Sequence, residues 1–573
     1  MSWLLVLRLL RLPRPRLADL VVLVLGAGLL WGLVALAPAE LRQVAPSAAL
    51  DLRPQALPGY AGLSLLRMAV AYTLSLVFTL IVGYAAARNP AAERILIPVL
   101  DILQSIPVLS FLPAVLLAMI ALFPGRILGL ELASVLLLFT GMVWNMTFHF
   151  YHALLTIPED LLEAARMLRL SWWQRFTRLE LPAAAIGLVW NSMMSWAGGW
   201  FFLMACENFT LVHRSFTLPG LGSYLAEASS RGDLRAVGWG LLALLSVIVA
   251  LDQLVWRPLV AWSQKFKLEL TEDLLPPRSW FLDLLRHSTV VRWVHARLWV
   301  LLTGALDRSM RFPGESQTVL SRSPSRRRSL PRTIAGVLIV GLAAGGAVLL
   351  TQLIARVPSV QWQNIALGAG ATTLRVAIAL LLAGAWAIPV GVTVGLRPRV
   401  ARVVQPLAQM AASVPATALF PVVLLLLLRL GGGLEVASVA LMLLGTQWYI
   451  LFNVIAGTMA LPRDLLEAAQ VLRLRGWLWW RKVLLPALFP YLVTGGLSAQ
   501  GGAWNASIVS EFITFGGRTL RTTGLGALIA SAATQGDMPL LAASTVAMAA
   551  VVVGLNRLVW RRLAHLAETR YHV

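Results

Sequence analysis

The chain has 573 residues, of which 58% are hydrophobic and 13% charged, with a formal net charge of +22 and a mean hydropathy of +0.76. This composition excludes a soluble protein of this size, and apolar runs near 20 residues exclude a β-barrel, whose strands alternate over shorter segments. The single cysteine, Cys206, excludes an internal disulfide and a cysteine-based metal site.

Apolar runs taken in chain order predict an all-α integral membrane protein with about twelve membrane-spanning helices. A basic N-terminal segment runs into the first apolar stretch without a convincing cleavage site, which predicts an uncleaved span. The predicted spans lie at residues 18–37, 62–87, 94–122, 129–153, 181–206, 234–259, 333–355, 368–395, 402–429, 434–457, 485–509 and 538–560. Arg-rich loops alternate with Arg-poor ones, so the positive-inside rule predicts cytoplasmic N- and C-termini.

The last six runs repeat the first six in the same direction. Glu163 and Glu467 are separated by 304 positions, and the stretches around them are nearly the same. The same separation relates Trp200 to Trp504, Glu207 to Glu511 and Asp233 to Asp537, and a separation of 308 relates Arg67 to Arg375 and Pro107 to Pro415. This parallel duplication predicts a first transmembrane domain at 1–261 and a second at 333–573.

Residues 262–332 have no counterpart in the repeat and are interpreted as a cytoplasmic linker. The segment SWFLDLLRHSTVVRWVHARLWVLL is amphipathic, which predicts a helix on the membrane surface. The segment SQTVLSRSPSRRRSLPR is polar and basic, which is typical of a solvated linker near anionic headgroups.

The most informative segment is EDLLEAARMLRLSWWQRFTRLELPA at 159–183, repeated as RDLLEAAQVLRLRGWLWWRKVLLPA at 463–487. Its pattern predicts a short amphipathic helix on the cytoplasmic side, a break at Ser171 and a second helix with paired tryptophans. Thr156 and Glu159 have the spacing of a capping box at the start of the first helix. The small Ala-Ala step of each copy favours close approach by another protein over contact with lipid.

Glu163-Ala164-Ala165 and Glu467-Ala468-Ala469, each followed by Leu-Pro at 181–182 and 485–486, resemble the EAA motif of the permease subunits of binding-protein-dependent ABC importers. The later Glu, Gly-Leu-Gly and Asp resemble the NitT/TauT branch, which transports nitrate, sulfonates and bicarbonate. The resemblance covers about 200 residues of each half. It implies a type I ABC importer permease fold and a transport subunit with no catalytic residues, in which two permease domains are fused in one chain.

The resemblance also implies partners and coupling residues. The short helices would be coupling helices that dock on a cytoplasmic ABC ATPase dimer, and this dimer would bind ATP and Mg²⁺. A periplasmic or lipid-anchored substrate-binding protein would deliver a small anion. The coupling residues are Glu163, Ala164, Ala165, Arg169, Glu467, Ala468, Ala469 and Arg473. Arg169 and Arg473 stand where the family usually has glycine, which predicts an altered turn.

The chain itself is not expected to bind ATP, a cofactor, a metal or nucleic acid. A P-loop requires a Gly-Lys pair, and none of the three lysines follows a glycine. His149 has only His152 at helical spacing, which is too few ligands to predict a metal site. The arginine excess is explained by inner loops in contact with membrane lipids.

Polar residues at membrane depth are candidates for the substrate path: Gln104, Ser105, Asn145, Ser195, Ser413, Ser498 and Gln500. The alternative is that they hold helices together. Ser105 and Ser413 precede Pro107 and Pro415, which free backbone carbonyls that can line a cavity. A duplicated secondary transporter or channel is the alternative function, but few carboxylates lie at mid-membrane, where proton coupling usually requires them.

Glu207 and Glu511 lie at the predicted periplasmic end of the fifth spans, and each precedes a Gly-Leu-Gly segment. One interpretation is structural, because the glycines would make a tight turn whose N–H groups donate to the carboxylate. The other is functional, with the pair lining an outer gate. The recurrence of the glutamate together with the glycines favours the structural role, and two gate carboxylates would repel an anionic substrate.

Overall fold

A computed structural model of the chain describes residues 50–123, 127–211, 214–266, 279–288, 350–429, 431–515 and 518–570. The predicted first span at 18–37 and most of 333–355 lie outside these residues, as does most of the linker. The described part is helical, apart from turns and one short β-hairpin in each half.

The first half contains eleven described helices. They are α1 (Leu57–Phe78), α2 (Tyr84–Arg88), α3 (Pro90–Ser105), α4 (Leu112–Leu122), α5 (Ile127–Leu155), α6 (Glu159–Met167), α7 (Trp172–Arg175), α8 (Leu181–Glu207), α9 (Leu221–Ser230), α10 (Leu234–Leu251) and α11 (Arg257–Ser263). Strands β1 (Asn208–Leu211) and β2 (Arg214–Thr217) pair antiparallel between α8 and α9, with Asn208 opposite Thr217. From the linker, α12 (Trp280–His287) packs against α11.

The second half repeats this order. Its helices are α13 (Ser359–Gly395), α14 (Pro398–Ser413), α15 (Ala416–Arg429), α16 (Gly433–Met459), α17 (Arg463–Val471), α18 (Gly476–Trp479), α19 (Leu485–Ser510), α20 (Leu525–Gln535), α21 (Met538–Leu555) and α22 (Arg561–Arg570). Strands β3 (Phe512–Phe515) and β4 (Arg518–Arg521) form its hairpin.

The repeat extends to details of the backbone. Wide π turns occur at Phe176–Glu180 and Trp480–Leu484, and again at Asp252–Trp256 and Asn556–Trp560, each pair separated by 304 positions. The repeated aspartates have a local role, because Asp233 caps α10 and Asp537 caps α21 by accepting hydrogen bonds from backbone N–H groups.

Seven helices of the described residues are long and apolar enough to cross a membrane, and α14 with α15 forms an eighth candidate that is bent by 84°. The predicted third spans at 94–122 and 402–429 are therefore each broken into two helices. The breaks follow from Pro107 and Pro415, since a proline disfavours helical backbone in the residue before it. Ile106 and Val414 accordingly have extended conformations.

Each half packs around one central helix. In the first half α5 lies against α1 and α8, and in the second α16 lies against α13 and α19. Trp200 and Trp504, at equivalent places in α8 and α19, are fully buried. The hairpins join the halves, because β1 contacts α20 and β3 contacts α9.

Candidate functional site

The motif helices α6 and α17 have the predicted position but a different start. Each begins directly after a proline, Pro158 or Pro462, and no side chain caps either helix. The predicted capping box was wrong: Thr156 lies too far upstream of the first helical residue, and its hydroxyl donates to the carbonyl of Ala153 at 3.2 Å.

The exposed face of each motif helix carries the glutamate and the first alanine. Glu163 and Ala164 are exposed, as are Glu467 and Ala468. The second alanine of each copy, Ala165 or Ala469, is buried within the chain. Only the first alanine of each pair is therefore available for close contact with another protein.

Both motif helices end in a Schellman motif, a helix end closed by two backbone hydrogen bonds around a residue of left-handed conformation. In α6 the N–H of Arg169 donates to Arg166 O at 3.0 Å and that of Leu170 to Ala165 O at 3.1 Å. Arg473 and Leu474 make the same two bonds in α17, at 2.9 Å and 3.0 Å.

Arg169 and Arg473 have φ values of 49° and 51°, and they are the only non-glycine residues with positive φ in the described part of the chain. This left-handed conformation is the one that favours glycine. The expectation of an altered turn was wrong, because the arginines adopt the conformation that a glycine would adopt.

An ion cluster joins the end of α2 to the segment between the first motif helix and α8. Glu180 is fully buried, and its carboxylate lies 2.8 Å from Arg88 Nη2 and 3.0 Å from Arg175 Nε. Tyr84 accepts hydrogen bonds from the Trp172 indole and the Arg175 guanidinium. The second half has Leu396, Trp479 and Leu484 at the positions of the three charged residues. The segments that follow the two motif helices are therefore held in place by different chemistry.

An arginine–carboxylate cluster joins four segments of the first half, among them the N-terminal part of α1. It consists of Ser64, Arg67, Glu131 and Glu207. Arg67 is 3% exposed and donates to both oxygens of Glu131, at 2.6 Å and 2.7 Å, and to Glu207 Oε1 at 2.8 Å. Ser64 donates to Glu207 at 2.6 Å and accepts from the N–H of Leu221 at 2.9 Å. The cluster ties α1, α5 and α8 to the start of α9.

The second half has an equivalent cluster of Thr372, Arg375, Glu435 and Glu511. Arg375 pairs with Glu435 and donates to Glu511 at 2.8 Å, and Thr372 donates to Glu511 at 2.8 Å. Sequence reasoning noted the two arginines as repeat positions but missed Ser64, Thr372, Glu131 and Glu435. The sequence marks these positions, because all four are polar residues within apolar runs at the repeat separations, but it does not show which of them meet.

The Gly-Leu-Gly segments are explained by close approach to the glutamates. Gly222 and Gly526 donate their N–H groups to Glu207 and Glu511 at 2.8 Å and 2.9 Å, as the structural interpretation expected. A Cβ on Gly220 would lie 2.3 Å from the Glu207 carboxylate, and one on Gly524 would lie 2.0 Å from Glu511. Both preceding glycines are extended, so space rather than a left-handed turn requires them.

The predicted path residues do not form one group. Gln104, Asn145 and Ser498 are exposed, Ser413 is half-buried, and Ser195 and Gln500 are buried. Within the described residues, none of them hydrogen-bonds to another of the set. The side chain of Ser105 lies outside the described residues.

The halves meet where the fifth spans contact the broken third segments. The N–H of Leu109 donates to Asn505 Oδ1 at 3.4 Å, and the Thr417 hydroxyl donates to Phe201 O at 3.3 Å. These two bonds are related by the repeat, because 109 is equivalent to 417 and 201 to 505. Arg561 also forms an ion pair with Asp101 across the interface.

The profile of the family "binding-protein-dependent transport system inner membrane component" matches residues 75–255 and 387–570. The chain belongs to this family. The two matches confirm the internal duplication, and the helices described above fit the type I importer permease fold with about twelve helices, in a multi-pass protein of the inner membrane.

Several curated proteins are similar to parts of the chain. A nitrate import permease protein from Leptolyngbya laminosa is 29% identical over 35% of this chain and 66% of its own length. A bicarbonate transport system permease protein from Synechocystis is 31% identical over 27% of the chain and 52% of its length. The taurine transport system permease protein of Escherichia coli is 29% identical over 35% of the chain and 70% of its own length. The chain thus spans less than two thirds of the length of the first two relatives.

Proposed function

We propose that the chain is the transmembrane permease component of an ATP-driven ABC importer for a small anion, with two permease domains in one polypeptide. The observation that carries this proposal is the duplicated motif helix: each family match contains one, with the glutamate and first alanine exposed and the same Schellman end. One ATPase subunit would dock on α6 and a second on α17. The domain boundaries 1–261, 262–332 and 333–573 are part of the proposal.

The anionic substrate is supported by the nitrate and bicarbonate permeases among the relatives. The path would run along the interface of the halves, where α8 and α19 meet the broken third segments. Broken helices are the places where a transporter can expose backbone groups at membrane depth. The predicted polar residues, from Gln104 and Ser105 to Ser498 and Gln500, remain candidates along this route.

The orientation follows from the same proposal. The arginine-rich loops and both motif helices would face the cytoplasm, and the arginine–carboxylate clusters would face the periplasm. A substrate-binding protein, periplasmic or lipid-anchored, would then dock near the hairpins. We expect genes for an ABC ATPase and a substrate-binding protein beside the gene of this chain.

The test is ATP-dependent uptake in proteoliposomes that contain the chain, that ATPase and that binding protein, with labelled nitrate and bicarbonate as probes. Glu163→Arg and Glu467→Arg should each abolish most of the uptake, because they reverse the charge on the exposed docking face of the motif helix. Glu159→Arg is the matched control, since the second half naturally carries arginine at the equivalent position 463.

Uptake that needs no ATP but follows a proton or sodium gradient would instead support a secondary transporter. If both glutamate variants transported as well as the Glu159→Arg control, the coupling role of the motif helices would be wrong.

A further inference from the structure

The arginines at the ends of the motif helices occupy a position that disfavours them. A left-handed backbone is strained for an L-residue with a side chain, because Cβ approaches the neighbouring carbonyl oxygen, whereas glycine has no such clash. Position C′ of a Schellman motif is accordingly a glycine position. Arg169 and Arg473 both accept this strain.

Among the described residues, nothing compensates for this strain. Both arginines are exposed, and neither guanidinium has a hydrogen bond or an ion pair with a described residue. Local strain that the fold does not compensate points to a function outside the fold.

The two halves share this arginine. The motif helices are nearly the same in sequence, with Arg166 replaced by Gln470, and the segment that follows differs more, with Trp172 replaced by Gly476. The strained arginine is therefore common to both copies of the motif helix.

The surface beside each arginine is apolar. Met167 and Leu168 are 85% and 72% exposed, and Val471 and Leu472 are 82% and 69% exposed. Each motif helix thus ends in an exposed apolar pair followed by an unpaired cation. We call these two surfaces, residues 167–169 and 471–473, the arginine tips.

We propose that each arginine tip binds an acidic rim on the partner ATPase, with the guanidinium paired to a carboxylate and the apolar pair seated in the adjacent cleft. The inference rests on the proposed function and adds the chemistry of the partner. A guanidinium suits this role because it pairs with carboxylates in a bidentate geometry.

An anionic membrane surface fits less well than a protein. The exposed face of α6 also carries Glu159, Asp160 and Glu163, and a uniformly negative surface would repel them. A folded partner can present acidic and basic groups in the order that the helix needs.

Lysine substitution tests the acidic neighbour directly. Arg169→Lys and Arg473→Lys introduce an amine that a carbodiimide couples to any carboxylate in contact, and the chain has only three other lysines. With the ATPase encoded beside this chain, in phosphatidylcholine nanodiscs, both variants should give cross-links to Asp or Glu of the ATPase. Arg166→Lys, an exposed position on the same helix, is the matched control and should give several-fold less product.

Glycine substitution tests how much each arginine contributes to binding of the ATPase. Arg169→Gly and Arg473→Gly keep the turn, so the melting temperature of the permease should stay the same or rise. Each should weaken ATPase binding by about tenfold or more, which is the loss expected for a hydrogen-bonded charge pair, and the double variant should lose most of the salt dependence of binding. Arg166→Gln, which copies the second half, should bind like the unchanged protein.

The outcomes separate the two hypotheses. If the ATPase does not bind the unchanged chain, the proposed function fails. If it binds the glycine variants as tightly as the unchanged chain, or cross-links no better to position 169 than to 166, only the acidic-rim inference is overturned. Loss of binding to phosphatidylglycerol vesicles without any change toward the ATPase would assign the arginine tips to lipid and would also overturn it.

Discussion

Replacement of Glu207 by glutamine should destabilise the permease far more than it alters substrate preference. The carboxylate is fully buried and accepts three hydrogen bonds, from Ser64 at 2.6 Å, Arg67 at 2.8 Å and the Gly222 N–H at 2.8 Å. Glutamine keeps one acceptor oxygen. If that oxygen faces Ser64 and Arg67, the new NH₂ group faces the N–H of Gly222, and a buried donor loses its partner.

The magnitude follows from these contacts. An unsatisfied buried N–H costs about 1–3 kcal/mol, and the loss of charge weakens two further hydrogen bonds by roughly 1 kcal/mol each. Arg67 keeps both oxygens of Glu131, so no cation is stranded. We therefore expect a loss of about 3 kcal/mol, at the lower end of the range for breaking a buried ion pair.

Glu511→Gln should behave alike, because Glu511 accepts from Thr372, Arg375 and Gly526 in the same arrangement. Glu227→Gln is the control. Its partner Arg231 lies one helical turn away and the pair is solvent-accessible, so its loss should cost no more than about 1 kcal/mol.

The assay is the fraction of monodisperse protein that survives heating in detergent, measured together with the ratio of nitrate to bicarbonate uptake. Both glutamine variants should melt well below the Glu227→Gln control, and the uptake ratio of the protein that survives should be unchanged. A stable double variant with an altered ratio would refute the structural role and make the two glutamates part of the path.

Three further predictions concern other contacts. Gly220→Ala and Gly524→Ala should abolish stable expression, since the new Cβ would overlap the glutamate carboxylate. The control Gly238→Ala should express normally, because its Cβ would meet open space. The yields of the variants are compared by fluorescence-detected gel filtration. Glu180→Leu should destabilise the first half by about 3 kcal/mol, because it leaves Arg88 and Arg175 without their carboxylate. The triple variant Arg88→Leu, Arg175→Trp, Glu180→Leu copies the second half and should recover much of the lost melting temperature. A triple variant that melts lower still would show that the ion cluster has no apolar substitute. Deletion of residues 315–330, a polar and basic part of the linker, should leave ATPase co-purification intact, and loss of co-purification would make the linker a docking element.

The repeat and the apolar runs were sufficient to predict the fold class, because both can be identified from the amino-acid sequence alone. The breaks at Ile106 and Val414 could have been predicted too, since proline restricts the residue before it. The hairpins β1–β2 and β3–β4 could not, because their short strands are stabilised by helices α20 and α9 of the opposite half, which no local pattern shows.

The site was less predictable than the fold. The left-handed arginines were unpredictable from propensity, which disfavours that backbone for any residue except glycine. The role of Arg67 was missed because its partners Glu131 and Glu207 lie 64 and 140 positions away along the chain. Distances in sequence carry no information on such contacts until the helices are packed.

Fusion of the two domains has a physical consequence at their interface. In a symmetric dimer every contact is duplicated, so a residue that pairs across the interface must do so twice. Here Arg561 pairs with Asp101 of the first half, whereas its repeat equivalent Arg257 pairs with Asp252 of its own half, 2.8 Å away. The position equivalent to Asp101 is Gln409, whose amide contacts the Met193 sulfur of the first half at 2.8 Å. Within the described residues, one polypeptide therefore holds an ion pair between the halves at one repeat position and a neutral contact between them at the equivalent position. A symmetric dimer of identical subunits could not make unlike contacts at its two equivalent positions, and the fused chain can.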